Sequence, residues 1–290
     1  MSSGTPLTVL VVTRDEELNI ERSLQSVHGF ADQILVIDSE STDCTVEIAS
    51  HFADGVHKLP YEHGRIIPWI FQWGLDNLPI RNDWVLILEA DQAIPEPLRR
   101  EIAELLARPA VDEDGFYIRR RQIFRGRPIR FGGYGGKHLL KLFRRSRAEL
   151  DPLEQDTRVY VRGAVGRLRS PLEEWNLKED AILFYLQKHL RYAEAFAREE
   201  LERRRRDIPW KLTPRFFGSS DERTLWFKTR YYRLPLYLRP FLYFVYRYFF
   251  LFGILDGANG FVFHFLQAFW FRLVVDIRLA ELLRAEPEKR

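Results

Sequence analysis

Glu89 and Asp91 are separated by one residue and follow directly on an apolar run at 84–88. Two carboxylates so placed can face one hard cation, because Mg2+ or Mn2+ is typically held by one or two carboxylates together with substrate phosphates. Such an ion neutralises the charge that develops on a diphosphate leaving group. Asp38 ends a second apolar run, 33–37, where a carboxylate can accept hydrogen bonds from a base or a ribose. A capping or turn aspartate has the same appearance. Thr13, Arg14, Asp15 and Glu16 follow a first apolar run at 7–12. The chain has no glycine-rich dinucleotide loop and no Walker sequence. A nucleotide here would be held through carboxylates and a cation, not through a phosphate-cradling glycine loop.

Elements that alternate in type must position these groups. The runs at 7–12, 33–37 and 84–88 are continuous and rich in branched residues, as expected for strands buried on both faces. Residues 55–59 and 116–121 read as further strands. Helical spacing appears over 17–27, 68–77 and 95–107, with a proline in the first turn of the second. Ser41 or Thr42 is expected to cap a helix running through Val46, Ile48 and Ala49, with Asp43 and Glu47 near its positive end. Strands alternating with helices predict a doubly wound, mostly parallel α/β sheet. Ligands bind such sheets outside the carboxyl ends of the strands, where these acidic residues lie. Residues 131–156 read as a loop rich in glycine, and 178–206 as a helix.

The 290 residues are 46% hydrophobic and 29% charged, which is a globular composition large enough for one sizeable core or two modest ones. The single cysteine, Cys44, excludes an intramolecular disulfide framework and a thiolate zinc site. The first residues show neither a basic n-region nor a long apolar h-region, so no secretory signal is expected. Arginine is frequent from Arg119 onward, and Phe, Tyr and Trp crowd the last sixty residues. A basic, aromatic C-terminal section suits an anionic membrane surface. No nucleic-acid signature is present, so nucleic acid is not an expected partner.

Three stretches, LTVLVVTRDEELNIERSLQSV, ILVIDSESTDCTVEIA and DWVLILEADQAIPEPLRREI, resemble the family 2 glycosyltransferases of GT-A fold. Further pieces, among them WGLDNLPI, KLFRR, VRGAVGRL, QKHLRYA and the segment from FVYRYFF through LDGANGF, resemble a bacterial branch that builds surface polysaccharides, exopolysaccharide or lipopolysaccharide. The resemblance implies that Thr13 and Glu16 lie against the nucleotide, that Asp38 binds the base and that Asp43 orders the loop behind it. It implies that Asp91 binds Mg2+ or Mn2+, with Glu89 at the first acidic position. It also implies an inverting transfer, in which a carboxylate within hydrogen-bond reach deprotonates the acceptor hydroxyl. Asp156 is the first candidate for that base, then Glu154, then Asp151. Candidates to meet the diphosphate or the acceptor are Arg65, Lys137, Arg144 or Arg145, Lys188 and His189, with Trp175 and Asn176 on the acceptor side. For His189 a packed histidine is the plainer reading.

The pattern departs from the family at several points. A glutamate, Glu89, stands where the first aspartate is usual, Gln92 replaces an acidic residue, IPWIFQ replaces polar donor-binding residues, and Thr157 stands beside Asp156. These departures motivate a competing reading, a catalytically silent nucleotide-sugar-binding or scaffold protein of a polysaccharide assembly complex. Another nucleotide-sugar or nucleotidyl enzyme on a similar sheet is a third.

The expected organisation is a nucleotide-sugar-binding catalytic domain at 6–166, a helical acceptor-side region at 167–232, and amphipathic membrane-interface helices at 233–285. In that last section no apolar run reaches the roughly twenty residues a spanning helix needs. Helices lying in the interface fit better, with Arg239 and Arg247, about two turns apart, at headgroup level. The same aromatic section could serve a homo-oligomer interface. The expected partners are a nucleotide-sugar donor, a lipid-linked saccharide acceptor and the membrane surface. The expected location is peripheral, on the cytoplasmic face of the inner or plasma membrane.

Overall fold

The apolar runs that end in acidic residues form the parallel centre of one sheet. A computed structural model of the chain describes residues 4–60, 67–150, 157–206 and 210–285. Arg65, Asp151, Glu154 and Asp156 lie outside the described residues. The chain divides into two compact units, Met1–Pro128 with Tyr134–Asp180, and Ile129–Gly133 with Ala181–Arg290.

The first unit begins with β1 (Thr5–Thr13), α1 (Ile20–Gln25), β2 (Ala31–Asp38), α2 (Thr45–Ser50), β3 (Gly55–Lys58), α3 (Ile67–Asn77) and β4 (Trp84–Glu89). It continues with β5 (Gln92–Ala93), α4 (Glu96–Leu106), β6 (Gly115–Phe124), β7 (Arg127–Ile129), β8 (His138–Arg144) and β9 (Ala148–Leu150). Three short strands complete it, β10 (Val159–Val161), β11 (Val165–Arg167) and β12 (Leu172–Glu174). Among the described residues the main sheet runs β3-β2-β1-β4-β8-β6-β12-β5, with β7 and β11 also paired to β6. β1 pairs in parallel with β2 and β4, and β2 with β3. β8 lies antiparallel between β4 and β6.

Alternation along β1 explains why the sheet is covered on both faces. Leu7, Val9 and Val11 enter one core with Ile20 and Leu24 of α1 and Leu98 and Ile102 of α4. Leu10 and Val12 enter the other with Phe71 and Leu75 of α3. All five β1 side chains are buried, so the strand reads as a continuous apolar run.

Three local expectations are corrected. The stretch 131–156 is not a loop throughout, because β8 fills the sheet between β4 and β6. Lys141 interrupts its apolar pattern, yet that lysine is buried with a carboxylate partner. Neither Ser41 nor Thr42 caps α2; both hydroxyls turn to aspartates of the site, and the Thr45 amide is met by Asp43. The first unit also reaches Asp180, beyond Gly166, since β12 pairs with both β6 and β5.

The second unit contains α5 (Ile182–Arg206), α6 (Ser220–Tyr232), α7 (Leu238–Val245), α8 (Gly257–His264) and α9 (Phe271–Ala285). α5 and α9 pack through Ala193, Ala197 and Leu201 against Phe271, Val275 and Leu279. Arg239 does not face outward as expected for a headgroup contact. It is fully buried, donating to both oxygens of Glu200 at 2.9 Å and to Asp276 at 2.6 and 2.8 Å. A guanidinium in the interior requires such paired acceptors, and the two carboxylates come from α5 and α9. Arg247 is likewise turned inward, with Nε donating to the Gly132 carbonyl at 2.6 Å. Asp256 accepts from the backbone N–H groups of Arg130 and Phe131, both at 3.0 Å. The segment 129–133 is thus bound to the turn between α7 and α8. At Gly132 φ is +64° and an added Cβ would lie 2.1 Å from the His264 ring, so glycine is required there.

Candidate active site

The carboxyl ends of β1, β2 and β4 lie side by side. Thr13 pairs with Asp38 across β1 and β2, and Val12 pairs with Glu89 across β1 and β4. The expected nucleotide and metal residues Thr13, Glu16, Asp38, Asp43, Glu89 and Asp91 therefore share one edge of the sheet. The buried Thr13 hydroxyl has no hydrogen-bond partner among the described residues.

The loops after β1 and β2 are cross-linked. Asp15 accepts from the Thr42 amide at 2.7 Å, while its own amide donates to the Ser41 hydroxyl at 2.8 Å. The Glu16 amide donates to Thr45 Oγ1 at 2.7 Å, and the Glu17 amide to Asp43 at 3.2 Å. Asp15 and Glu40 hold left-handed backbone, with φ of 50° and 57°. Such conformations cost about 1–3 kcal/mol each in residues other than glycine and gather at ligand sites. Asp38 is fully buried, accepting from the Ser41 amide at 3.0 Å and from the Ser41 hydroxyl, so it also forms the turn. Burial alone would push the Asp43 carboxyl up, but bonds from Thr45 and Glu17 outweigh it and hold Asp43 below the usual carboxylate range.

A second set of bonds joins the β1 loop to the acidic motif. Asn176 Nδ2 donates to Asp91 Oδ2 at 3.2 Å, and its Oδ1 accepts from Asn19 Nδ2 at 3.2 Å. Asn19 donates to Glu16 at 2.6 Å, and Glu16 also pairs with Lys178 at 2.7 Å. Arg22 donates to the carbonyls of Asp91 and Trp175 at 2.6 and 2.9 Å. Trp175 and Asn176, expected on the acceptor side, thus lie directly against the acidic motif.

Behind the motif is a charge-balanced cluster. Glu89 meets Lys141 at 3.3 Å. Glu174 accepts from Arg120 at 2.9 Å and from Gln92 Nε2 at 2.9 Å. Burial would raise the Glu174 carboxyl, but Arg120 and the Gln92 amide hold it below its ordinary value. Gln92, where an acid was expected, serves this carboxylate and accepts the Glu89 amide at 3.2 Å. Lys137 is exposed, and its charge also favours the ionised Glu174.

Some expected residues lie elsewhere. Arg144 pairs opposite Trp84, at the start of β4 and so at the other end of the sheet from Glu89. It is tied to Asp83 at 2.6 Å and lies 4.6 Å from the Trp84 ring, a structural placement away from any diphosphate at the acidic edge. Arg145 neighbours it there, its amide donating to the Asp83 carbonyl. His189, in the second unit, is buried, stacked 3.8 Å from the Tyr185 ring, with Nδ1 2.9 Å from the Tyr185 carbonyl. That is the packed histidine of the plainer reading. Lys188 lies 5.6 Å from the Tyr192 ring.

Five partners were not singled out from the sequence: Asn19, Arg22, Arg120, Lys141 and Lys178. Lys141 carries the clearest signal, a lone lysine between leucines. Among the described residues no group of three or more His, Cys, Asp or Glu could hold a metal. A carboxylate that meets a cation together with substrate phosphates needs no such group.

Among solved structures, the chain is similar to the mannosyltransferase PcManGT from Pyrobaculum calidifontis, in complex with GDP-Man and Mn2+. The identity is 15%, the TM-score 0.48, and the match covers 98% of this chain and 88% of that one. It is also similar to S. aureus TarS, at 13% identity and a TM-score of 0.40, covering 98% and 93%. An uncharacterized glycosyltransferase of Rickettsia bellii (strain RML369-C) is 33% identical over 101 residues, which are 35% of this chain and 33% of that protein. The chain thus spans about a third of the length of the relatives it matches. The model of glycosyl transferase family 2 matches residues 8–175, more than half of the chain. With that match, and with the acidic strand ends in register on a mostly parallel sheet, the chain belongs to glycosyl transferase family 2.

Proposed function

We propose that the protein is an inverting glycosyltransferase that moves a sugar from a nucleotide-diphosphate-sugar to a lipid-linked saccharide in cell-surface polysaccharide biosynthesis. The observation that carries this reading is the register of three strand ends, which gathers Thr13, Asp38, Glu89 and Asp91 on one edge of the sheet. Asp38 and the cross-linked loops after β1 and β2 would hold the base and ribose. Asp91, oriented by Asn176, would meet Mg2+ or Mn2+ and, through it, the donor phosphates. Such an ion, when bound, neutralises charge on the departing diphosphate. Asp156 is proposed to take the proton from the acceptor hydroxyl, whose oxygen attacks the anomeric carbon as the nucleoside diphosphate leaves.

Features of the second unit support a peripheral place on a membrane, which we take to be its cytoplasmic face. Between Arg247 and Arg272 the ionisable groups other than tyrosine are Asp256 and His264. Both side chains are buried, with exposures of 3% and 0%. Around them Phe249, Phe250, Phe252, Ile254 and Leu255 are exposed. An exposed apolar turn with its charges internally bound suits burial in the outer part of one leaflet. The helical run Gly253–Ala285 is long and apolar enough to cross a membrane by length and composition, and 39% of its apolar window is buried inside the chain.

The test is transfer to a lipid-linked acceptor against a water-soluble sugar of the same terminal residue. The proposal expects faster transfer to the lipid-linked form in vesicles. Equal turnover on both would count against a membrane-bound acceptor.

A further inference from the structure

Residues 129–133 belong to the second unit, together with the turn between α7 and α8. Four hydrogen bonds hold them to that turn. The Asp256 carboxylate accepts from the Arg130 and Phe131 amides, one on each oxygen, both at 3.0 Å. The Gly132 amide donates to the Leu251 carbonyl at 2.8 Å, and its carbonyl accepts from Arg247 Nε at 2.6 Å. Arg130 and Phe131 cannot leave residues 251–256 without breaking these bonds. Both are exposed. Among the described residues the Arg130 guanidinium has no carboxylate partner. The turn beside them is apolar, and Phe252 keeps a left-handed backbone, φ 58°, while 60% exposed. Such a conformation persists in a residue other than glycine only where its surroundings impose it. From residue 233 to residue 275 the sequence has a single acid, Asp256, and its side chain is buried. The exposed turn therefore has a fixed cation next to it and no exposed carboxylate from its own stretch of chain. Apolar side chains beside positive charge complement a bilayer with anionic headgroups.

We propose that Arg130 and Phe131 form, with the turn 249–255, a binding site for an anionic phospholipid surface. Phe131 enters the acyl boundary with the turn, and the Arg130 guanidinium meets a lipid phosphate at headgroup level. The assignment rests on the reading that the second unit attaches peripherally to a membrane, and it adds the lipid class and the cation that selects it. Arg239 and Arg247, expected at headgroup level from their spacing, are turned inward. Arg130, 126 residues before Asp256, takes that place.

The experiment is flotation of the full chain with two kinds of vesicle, phosphatidylcholine alone and phosphatidylcholine with phosphatidylglycerol. Asp256 is met by the Arg130 amide and not by its side chain, so Arg130→Ala leaves the anchor in place. That variant should bind the anionic vesicles about fivefold more weakly than wild type and the neutral ones equally well. Arg130→Lys should retain most of the wild-type binding, and high salt should erase the difference between Arg130→Ala and wild type. Phe131→Ser should weaken binding to both vesicles several-fold, because it removes apolar contact and no charge. Arg130→Ala binding anionic vesicles as well as wild type does would overturn this inference alone, and so would equal wild-type binding to the two kinds of vesicle. Absence of wild-type binding to either would overturn the membrane reading and this inference together. Self-association that Phe250→Asp/Phe252→Asp abolishes, without vesicle binding, would also overturn both, with a second copy of the chain on the turn.

Discussion

At the scale of single residues, the site is ordered by partners drawn from distant parts of the chain. Asn176 joins Asp91 to Asn19 and Glu16 across more than 150 residues of sequence. Asn176→Ala removes the donor that orients Asp91, and Mn2+-dependent nucleotide affinity should fall by about tenfold, as for other groups that orient a metal ligand. Calorimetry on that variant checks it, with unchanged thermal unfolding as the control for folding. The acids themselves could be read from the sequence, because each ends a run of buried branched residues. Their partners could not. Arg120 reaches Glu174 through the pairing of β6 with β12, a contact that no local pattern announces.

Elements were read best where burial is uniform. β1, β2 and β4 are apolar on both faces, so their continuous runs identify them without knowledge of their neighbours. β8 is hidden in the sequence because a charged residue occupies a core position, which the pairing with Glu89 makes tolerable. Arg239 is a second charged residue in a core position. Two helical turns from Arg247, it suggested a headgroup contact, yet it ties α7 to α5 and α9 from inside. Arg239→Met would leave Glu200 and Asp276 buried without that partner, a loss of about 3–5 kcal/mol, measurable by urea unfolding. The turn between α7 and α8 should also respond to acid. Burial, with the nearby Arg247, pushes His264 down to about 4, so the folded state favours the neutral ring. The unfolded chain therefore binds the extra proton first, and the stability contributed by the neutral ring should be lost as pH falls from about 6.5 to about 4. His264→Asn should flatten that part of the stability profile.

For the whole molecule, the two units carry separable tasks in this account. The first has the α/β sheet of the family with its acidic edge, and the second presents the exposed apolar turn at 249–255. Replacing Phe250 and Phe252 together by Asp should weaken binding to vesicles containing anionic lipid by roughly tenfold or more, since each buried Phe is worth about 1.5–3 kcal/mol. Nucleotide binding in solution should persist in that variant, and flotation with liposomes beside calorimetry separates the two. The most direct test of the central claim is calorimetric titration of the full chain with uridine and guanosine diphosphates and their sugars. It is run with and without Mn2+, on wild type and on Asp91→Ala. The account predicts nucleotide binding that Mn2+ strengthens and Asp91→Ala abolishes. No binding of any of these nucleotides, or binding indifferent to both Mn2+ and Asp91, would contradict it.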